Sequence, residues 1–157
     1  MFTNIMWATD GSENADRALE YASEIVRGEN AELHVAHVVE KIVGGRVAGQ
    51  NARLDEPTIE AKIESQAATV AQTGIKTTLH RHVGPAAHIG KQLAQVARDS
   101  GADLIVVGTR GHSPLAELML GGVTQQLLHV ASCPVLAVPP TAAHRPDASP
   151  QVAVAAN

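Results

Sequence analysis

Aromatic side chains are nearly missing: Phe2, Trp7 and Tyr21 make up 2% of 157 residues. Single-stranded nucleic acid is gripped largely by bases stacking on such rings, so that binding class is excluded. The interior must instead be built from Val, Leu, Ile and Ala, which suits strands buried on both faces. Cysteine is almost absent too, and the lone Cys133 excludes an internal disulfide framework and fits a reducing compartment. Positive charge is in deficit, with 12 basic against 16 acidic side chains and a formal charge of −4. No overall field draws in a phosphate polymer or an anionic membrane, so any phosphate must be held locally. No apolar run reaches the length of a membrane span, and the N-terminus lacks the basic-then-apolar pattern of a secretion signal. The chain therefore reads as cytoplasmic, with neither nucleic acid nor membrane as a partner.

What is present is the balance of one globular domain, 45% hydrophobic and 18% charged, long enough to bury roughly two-thirds of its unfolded surface. Residues 4–9 are a short apolar run ending in Asp10-Gly11-Ser12, and residues 13–27 carry Ala15, Ala18, Leu19, Ala22, Ile25 and Val26 at helical intervals. That is strand, turn, helix, with Ser12 as the N-cap and Gly28 closing the helix. Residues 31–39 alternate as a second strand. Residues 40–57, with three glycines and no sustained period, read as a long connection or flap. A helix is expected over 58–73, a third strand over 76–83 and a helix over 86–100. The run Asp103-Leu-Ile-Val-Val107, closed by Gly108, is the strongest strand and should be central. A helix over 123–131 and a fifth strand over 133–138, stopped by Pro139-Pro140, complete a domain spanning 1–139. Residues 140–157 are Ala, Pro and polar, a tail with too little large apolar area to fold alone, although Val152 and Val154 suit a short strand added to a partner.

Five strands alternating with four helices argue for a doubly wound parallel α/β sheet with helices on both faces, because parallel neighbours need right-handed crossovers. In a flavodoxin-like order the chain winds outward from strand one and then reverses, so the ends of strands one and four flank a crevice. The turns at 9–12 and 108–111 would both open onto it. Four glycines, Gly108, Gly111, Gly121 and Gly122, lie within fifteen residues there. Without a Cβ in the way, the N–H groups of Gly121, Gly122 and Val123 can point at phosphate oxygens, helped by the positive end of the next helix, and Thr124 adds a hydroxyl. Arg110 either pairs with that phosphate or is solvated at the loop tip. The competing account gives these glycines only a tight strand exit and a cap. Neither the P-loop nor the dinucleotide fingerprint occurs in order.

The order Gly108-x2-Gly111-x9-Gly121 followed by a helix, the early Asp10-Gly11-Ser12 and the ending Cys133-Pro-Val-Leu-Ala-Val138 together resemble the universal stress protein family over residues 1–139. The resemblance implies a flavodoxin-like sheet of order 3-2-1-4-5, a homodimer through strand five and, in the subgroup with this glycine pattern, ATP binding. Carried over by position, the adenine and ribose contacts fall on Ala8, Thr9, Asp10, Val38, Val107 and Gly108. The triphosphate falls on Gly111, Gly121, Gly122, Val123 and Thr124. The family pattern places Ser or Thr after the third glycine, where this chain has Gly122. A lost hydroxyl to a charged oxygen costs about 1.5–3 kcal/mol, roughly ten- to hundred-fold in affinity. Asp10 is either a turn aspartate or a ligand contact, and the second reading puts it on the ribose or on Mg²⁺.

The implied function is a stress-response nucleotide switch. Cyclic AMP is an alternative ligand, whose single phosphate would meet Gly121 and Gly122. A nucleotide-free homodimeric interaction protein and a slow ATPase are the other readings, although no evident water-activating base joins a phosphate clamp. Eight histidines invite a metal site. His80 and His82 share one face of strand three without a third ligand nearby in sequence, so exposed strand residues are the alternative to zinc. His34 and His37 should face opposite ways. His112-Ser113 with Asp10 holds the atoms of a hydrolytic triad but lacks the Gly-x-Ser-x-Gly elbow, and Ser113-Pro114 reads better as a helix start. Cys133 reads as a packing residue.

Overall fold

The computed structural model describes residues 1–40, 50–110 and 120–140. Gly111, the His112-Ser113-Pro114 segment and the tail from 141 onward lie outside the described residues, as do residues 41–49. In chain order the elements are β1 (Asn4–Ala8), α1 (Glu13–Glu29), β2 (Glu32–Glu40), α2 (Gln50–Gln72), β3 (Thr77–Gly84), α3 (Ile89–Asp99), β4 (Leu104–Gly108), α4 (Gly122–Val130) and β5 (Val135–Val138). The five strands form one parallel sheet of order β3-β2-β1-β4-β5. This is the expected flavodoxin-like arrangement.

Alternation along the strands feeds two cores. Ile5, Trp7, Leu33, Val35, Leu104 and Val106 pack beneath α1 and α2, meeting Ala18, Ala22, Val26, Ile63 and Val70. Met6, Ala8, Ala36, Val38, Ile105 and Val107 face the other way, onto Leu93, Val96 and Ala97 of α3 and Leu127 of α4. Trp7 is fully buried and its indole N–H donates to the Ala15 carbonyl at 2.9 Å, so the largest side chain of the core leaves no polar atom unpaired.

Several boundaries differ from the sequence reading. Ser12 does cap α1, its Oγ accepting from the Ala15 N–H at 3.2 Å, but Gly28 lies inside the helix. Asn30 closes it in the left-handed conformation (φ 53°), which asparagine tolerates better than most residues. The supposed flap over 40–57 is helical from Gln50, so α2 begins eight residues before the expected start at 58, with Pro57 inside it. Proline signals a break because it lacks an N–H, yet here the helix forgoes that one bond and continues. Residues 86–88 form a 3₁₀ turn after Pro85, and only then does α3 begin. Strand β5 starts at Val135 rather than 133, α4 starts at Gly122 rather than 123, and Gly108 belongs to β4.

On the α3 side of the sheet, His80 pairs with His34 of the neighbouring strand rather than with His82, which is exposed. His34 Nδ1 and His80 Nε2 stand 3.1 Å apart. Burial lowers the pKa of both rings, reinforced at His34 by His80 and at His80 by His82. The unfolded chain therefore takes up protons first. Stability from the pair is fully present above about pH 6.5 and declines as the pH falls through that value towards the lowered folded ones. Between about pH 7.5 and about pH 5 the difference in urea midpoint between wild type and His80→Gln should move against the wild type. A difference independent of pH would contradict a neutral pair.

Candidate functional site

At the carboxyl end of β1 the backbone turns sharply into α1. The Thr9 N–H donates to the Ala36 carbonyl at 2.9 Å, the Thr9 hydroxyl oxygen accepts from the Gly11 N–H at 3.1 Å, and Asp10 Oδ1 accepts from the Ser12 N–H at 3.0 Å. Asp10 thus performs the turn role. Gly11 has a φ of +77°, and a Cβ there would come within 2.7 Å of Ile59 on α2, so only glycine fits.

Beside it, β4 ends at Gly108, where a Cβ would lie 2.8 Å from Asn14 Nδ2 and 3.0 Å from the Asn14 carbonyl. This glycine serves the close approach of α1. Asn14 Nδ2 donates to the Arg110 carbonyl at 2.9 Å, and the Thr109 N–H donates to Val138 of β5 at 2.9 Å. The two turns are side by side because Ala8 and Val107 are register partners. Ala8, Val38 and Val107, the apolar members of the expected site, share the α3 side of the sheet and are buried.

The fourth wall is the start of α4, and here two expectations are corrected. The Gly121 N–H, expected to face a ligand, donates to the Thr109 carbonyl at 2.8 Å and ties the start of α4 to the residue after β4. The Thr124 hydroxyl, expected on a phosphate, is buried and donates to the Gly108 carbonyl at 2.8 Å. Both groups tie α4 to the end of β4, because a strand-exit carbonyl that can no longer join the ladder needs a donor. What remains without a partner among the described residues are the N–H groups of Gly122, Val123 and Thr124. The first helical bond is made by Gln125 to the Gly121 carbonyl, and Gly121 supplies no side-chain cap. First-turn amides have no acceptor within their own helix, and Gly122 is exposed with open space where a Cβ would sit.

Three supporting side chains carry no signal at short range. His37 Nδ1 stands 2.9 Å from the Thr9 carbonyl and its Nε2 2.7 Å from Glu56 Oε1, bridging the β1 turn to α2. Lys62 Nζ donates to the Gly11 carbonyl at 2.7 Å and to Asp16 Oδ2 at 2.6 Å. Only the alternation that turns His37 away from His34 hints at this arrangement.

A cleft of about 460 Å³ beside the β1 turn is lined by Gly11, Ser12, Asn14, Arg17, Lys62 and Arg110 among others. A larger one of about 630 Å³ lies between α1 and α2 and includes no strand end. Neither is lined by Gly121 or Gly122. Size here is a poorer guide than chemistry, since the amides without a partner among the described residues lie at the sheet's reversal and not in the larger groove. Among the described residues no three His, Cys, Asp or Glu side chains come together as a metal site, and no helix is long and apolar enough to cross a membrane.

The model of the universal stress protein family matches residues 1–139. The chain belongs to that family. This universal stress protein is 32% identical over 150 residues to universal stress protein YxiE of Bacillus subtilis, covering 88% of this chain and 99% of the relative. Among solved structures, hypothetical protein MJ0577 superposes with a TM-score of 0.72 at 23% identity, covering 91% of this chain and 99% of the other. A universal stress protein in complex with cAMP gives 0.63 at 24% identity, covering 87% and 96%. One from Archaeoglobus fulgidus in complex with dAMP gives 0.61 at 24%, covering 88% and 98%. These likenesses establish the shared fold.

The Gly108 contact yields a direct test of this stress protein's architecture. Gly108→Ala must push α1 away from β4, and its folding stability in urea should drop by about 1–3 kcal/mol. An unchanged midpoint would show that the approach of Asn14 does not require glycine.

Proposed function

We propose that this universal stress protein binds an adenine nucleotide, ATP with Mg²⁺, at the carboxyl ends of β1 and β4, and that occupancy acts as a conformational or dimer switch in a cytoplasmic stress response. The observation that carries the reading is the start of α4 at the end of β4, which has no side-chain cap at Gly121 and is exposed at Gly122. Backbone amides and a helix dipole suffice for an anion, so the net charge of −4 is no obstacle. The nucleotides in the cAMP and dAMP complexes of related folds support the adenosine part. In this reading Ala8, Val38, Val107 and Gly108 receive the base, Thr9 and Asp10 the ribose, with the Mg²⁺ of the triphosphate as the alternative partner of Asp10, and Gly122, Val123 and Thr124 the phosphates through their N–H groups. Arg110 and Gly111 border the phosphates, Gly121 shapes the turn, and strand β5 pairs two copies. Cyclic AMP is the alternative ligand.

A second reading, a nucleotide-free homodimeric interaction protein, is favoured by two observations: the Gly121 N–H already has a partner, and position 122 offers no hydroxyl. Titration calorimetry with ATP and Mg²⁺ decides between them. Gly122→Ser places its side chain in open space and should bind about ten- to hundred-fold tighter. Gly122→Pro should fold normally, since Gly121 already has the extended ψ of 144° that precedes proline and the first helical position accepts it. It removes one amide and should bind more weakly. No heat from wild type or Gly122→Ser at millimolar ATP, with cAMP equally silent, would reject nucleotide binding.

A further inference from the structure

Away from the crevice, on the α3 side of the sheet and towards its β3 edge, two imidazoles point ring nitrogens at each other. His34 lies on β2 and His80 on the edge strand β3, one diagonal step apart, because His34 is in register with Thr78 and His80 with Ala36. Their rings are tilted by 38° with centroids 5.3 Å apart, and Nδ1 of His34 is 3.1 Å from Nε2 of His80. Two nitrogens bound tetrahedrally to one zinc ion at about 2.0–2.1 Å stand about 3.3–3.4 Å apart. The observed gap is within a few tenths of an ångström of that spacing.

The other nitrogen of His34 is also occupied. Its Nε2 faces Asn4 Oδ1 at 3.4 Å, an acceptor that draws the ring proton to Nε2 and leaves Nδ1 with its lone pair towards His80. A second partner orienting the far nitrogen is the usual support of a metal-ligating imidazole. We propose that His34 Nδ1 and His80 Nε2 together bind a divalent cation of the zinc class, with Asn4 orienting His34 and water completing the coordination. On binding, the proton that the two rings share in the empty pair moves to Nδ1 of His80, so both facing nitrogens present lone pairs. Burial keeps both rings neutral near neutral pH, which favours ligation.

The surroundings suit a modest, solvent-accessible site rather than a closed structural one. Among the described residues no third His, Cys, Asp or Glu completes the group. Glu32, two residues before His34 on the same strand face, is held by Lys76 at 2.7 Å. His82 is exposed on the face of His80 but two steps further along the strand, away from His34.

The test is calorimetric titration of the nucleotide-free full chain with ZnCl₂ near neutral pH, alongside His80→Ala and His82→Ala. Wild type should take up one ion saturably. Affinity should fall by at least about tenfold in His80→Ala and stay unchanged in His82→Ala, with ¹⁵N shifts of the imidazoles moving at His34 Nδ1 and His80 Nε2. His80 lies half-exposed on an edge strand, and a urea melt confirms that its variant is folded. No saturable uptake, undiminished uptake by His80→Ala, or equal losses in both variants would overturn the site. No nucleotide is present, so the result stands apart from the outcome at the crevice.

Discussion

Strand β1 is paired on both sides, with Ala8 opposite Ala36 of β2 and opposite Val107 of β4, and the geometry of the molecule follows from that double pairing. The chain winds from β1 outward to β3 and then returns to the other side of β1 for β4. Crossovers on the two sides of such a reversal leave a gap at the carboxyl ends that no helix fills. The β1 turn, the end of β4 and the start of α4 therefore meet at one place. A register slip of one residue would exchange the two faces of β1 and bury Met6 where Trp7 belongs, so the pairing is held by the whole of both cores.

Polar groups around that gap are mostly used to hold it in shape. Asn14, Thr124 and the Gly121 amide each donate to a carbonyl between Gly108 and Arg110, and His37 and Lys62 do the same for the β1 turn. Each such bond contributes about 1 kcal/mol, and together they pre-set the positions of the remaining amides. Rigid donors are what an anion site at a helix start needs, because the protein then pays little ordering entropy when the anion arrives. The same economy explains how a chain of net charge −4 can present a locally positive surface. Asp10 sits at the hinge of this arrangement, and its bond to the Ser12 amide aligns the first turn of α1 with the mouth.

Much of the architecture is legible in the sequence because it depends on local periodicity. Two-sided apolar runs such as Leu104–Gly108 can only be central strands, and the spacing of Ala15, Ala18, Ala22 and Val26 can only be one helix face. Element ends are less legible. Gly28 and Pro57 are both strong local breakers, and in each case packing of the helix against the sheet outweighs a propensity cost of about 1–3 kcal/mol. The glycines near residue 108 show a different limit. Sequence identifies them as a group, but Gly108 accommodates a neighbouring helix, Gly121 donates to the Thr109 carbonyl and Gly122 faces open space.

The sequence by itself determined the fold class, the number and order of the strands and helices, the Ser12 cap and the reversal between the first and fourth strands, where the proposed site lies. These rest on interactions among residues close along the chain, or on the rule that parallel strands need right-handed crossovers. Only the tertiary structure decided which atoms at that site are already committed, which partner His80 has, and how Glu56 and Lys62 reach the first turn. Those contacts join residues 12 (Gly121 to Thr109) to 96 (Asn14 to Arg110) positions apart. They exist because strand register and helix packing bring distant segments together, and no local spacing records that.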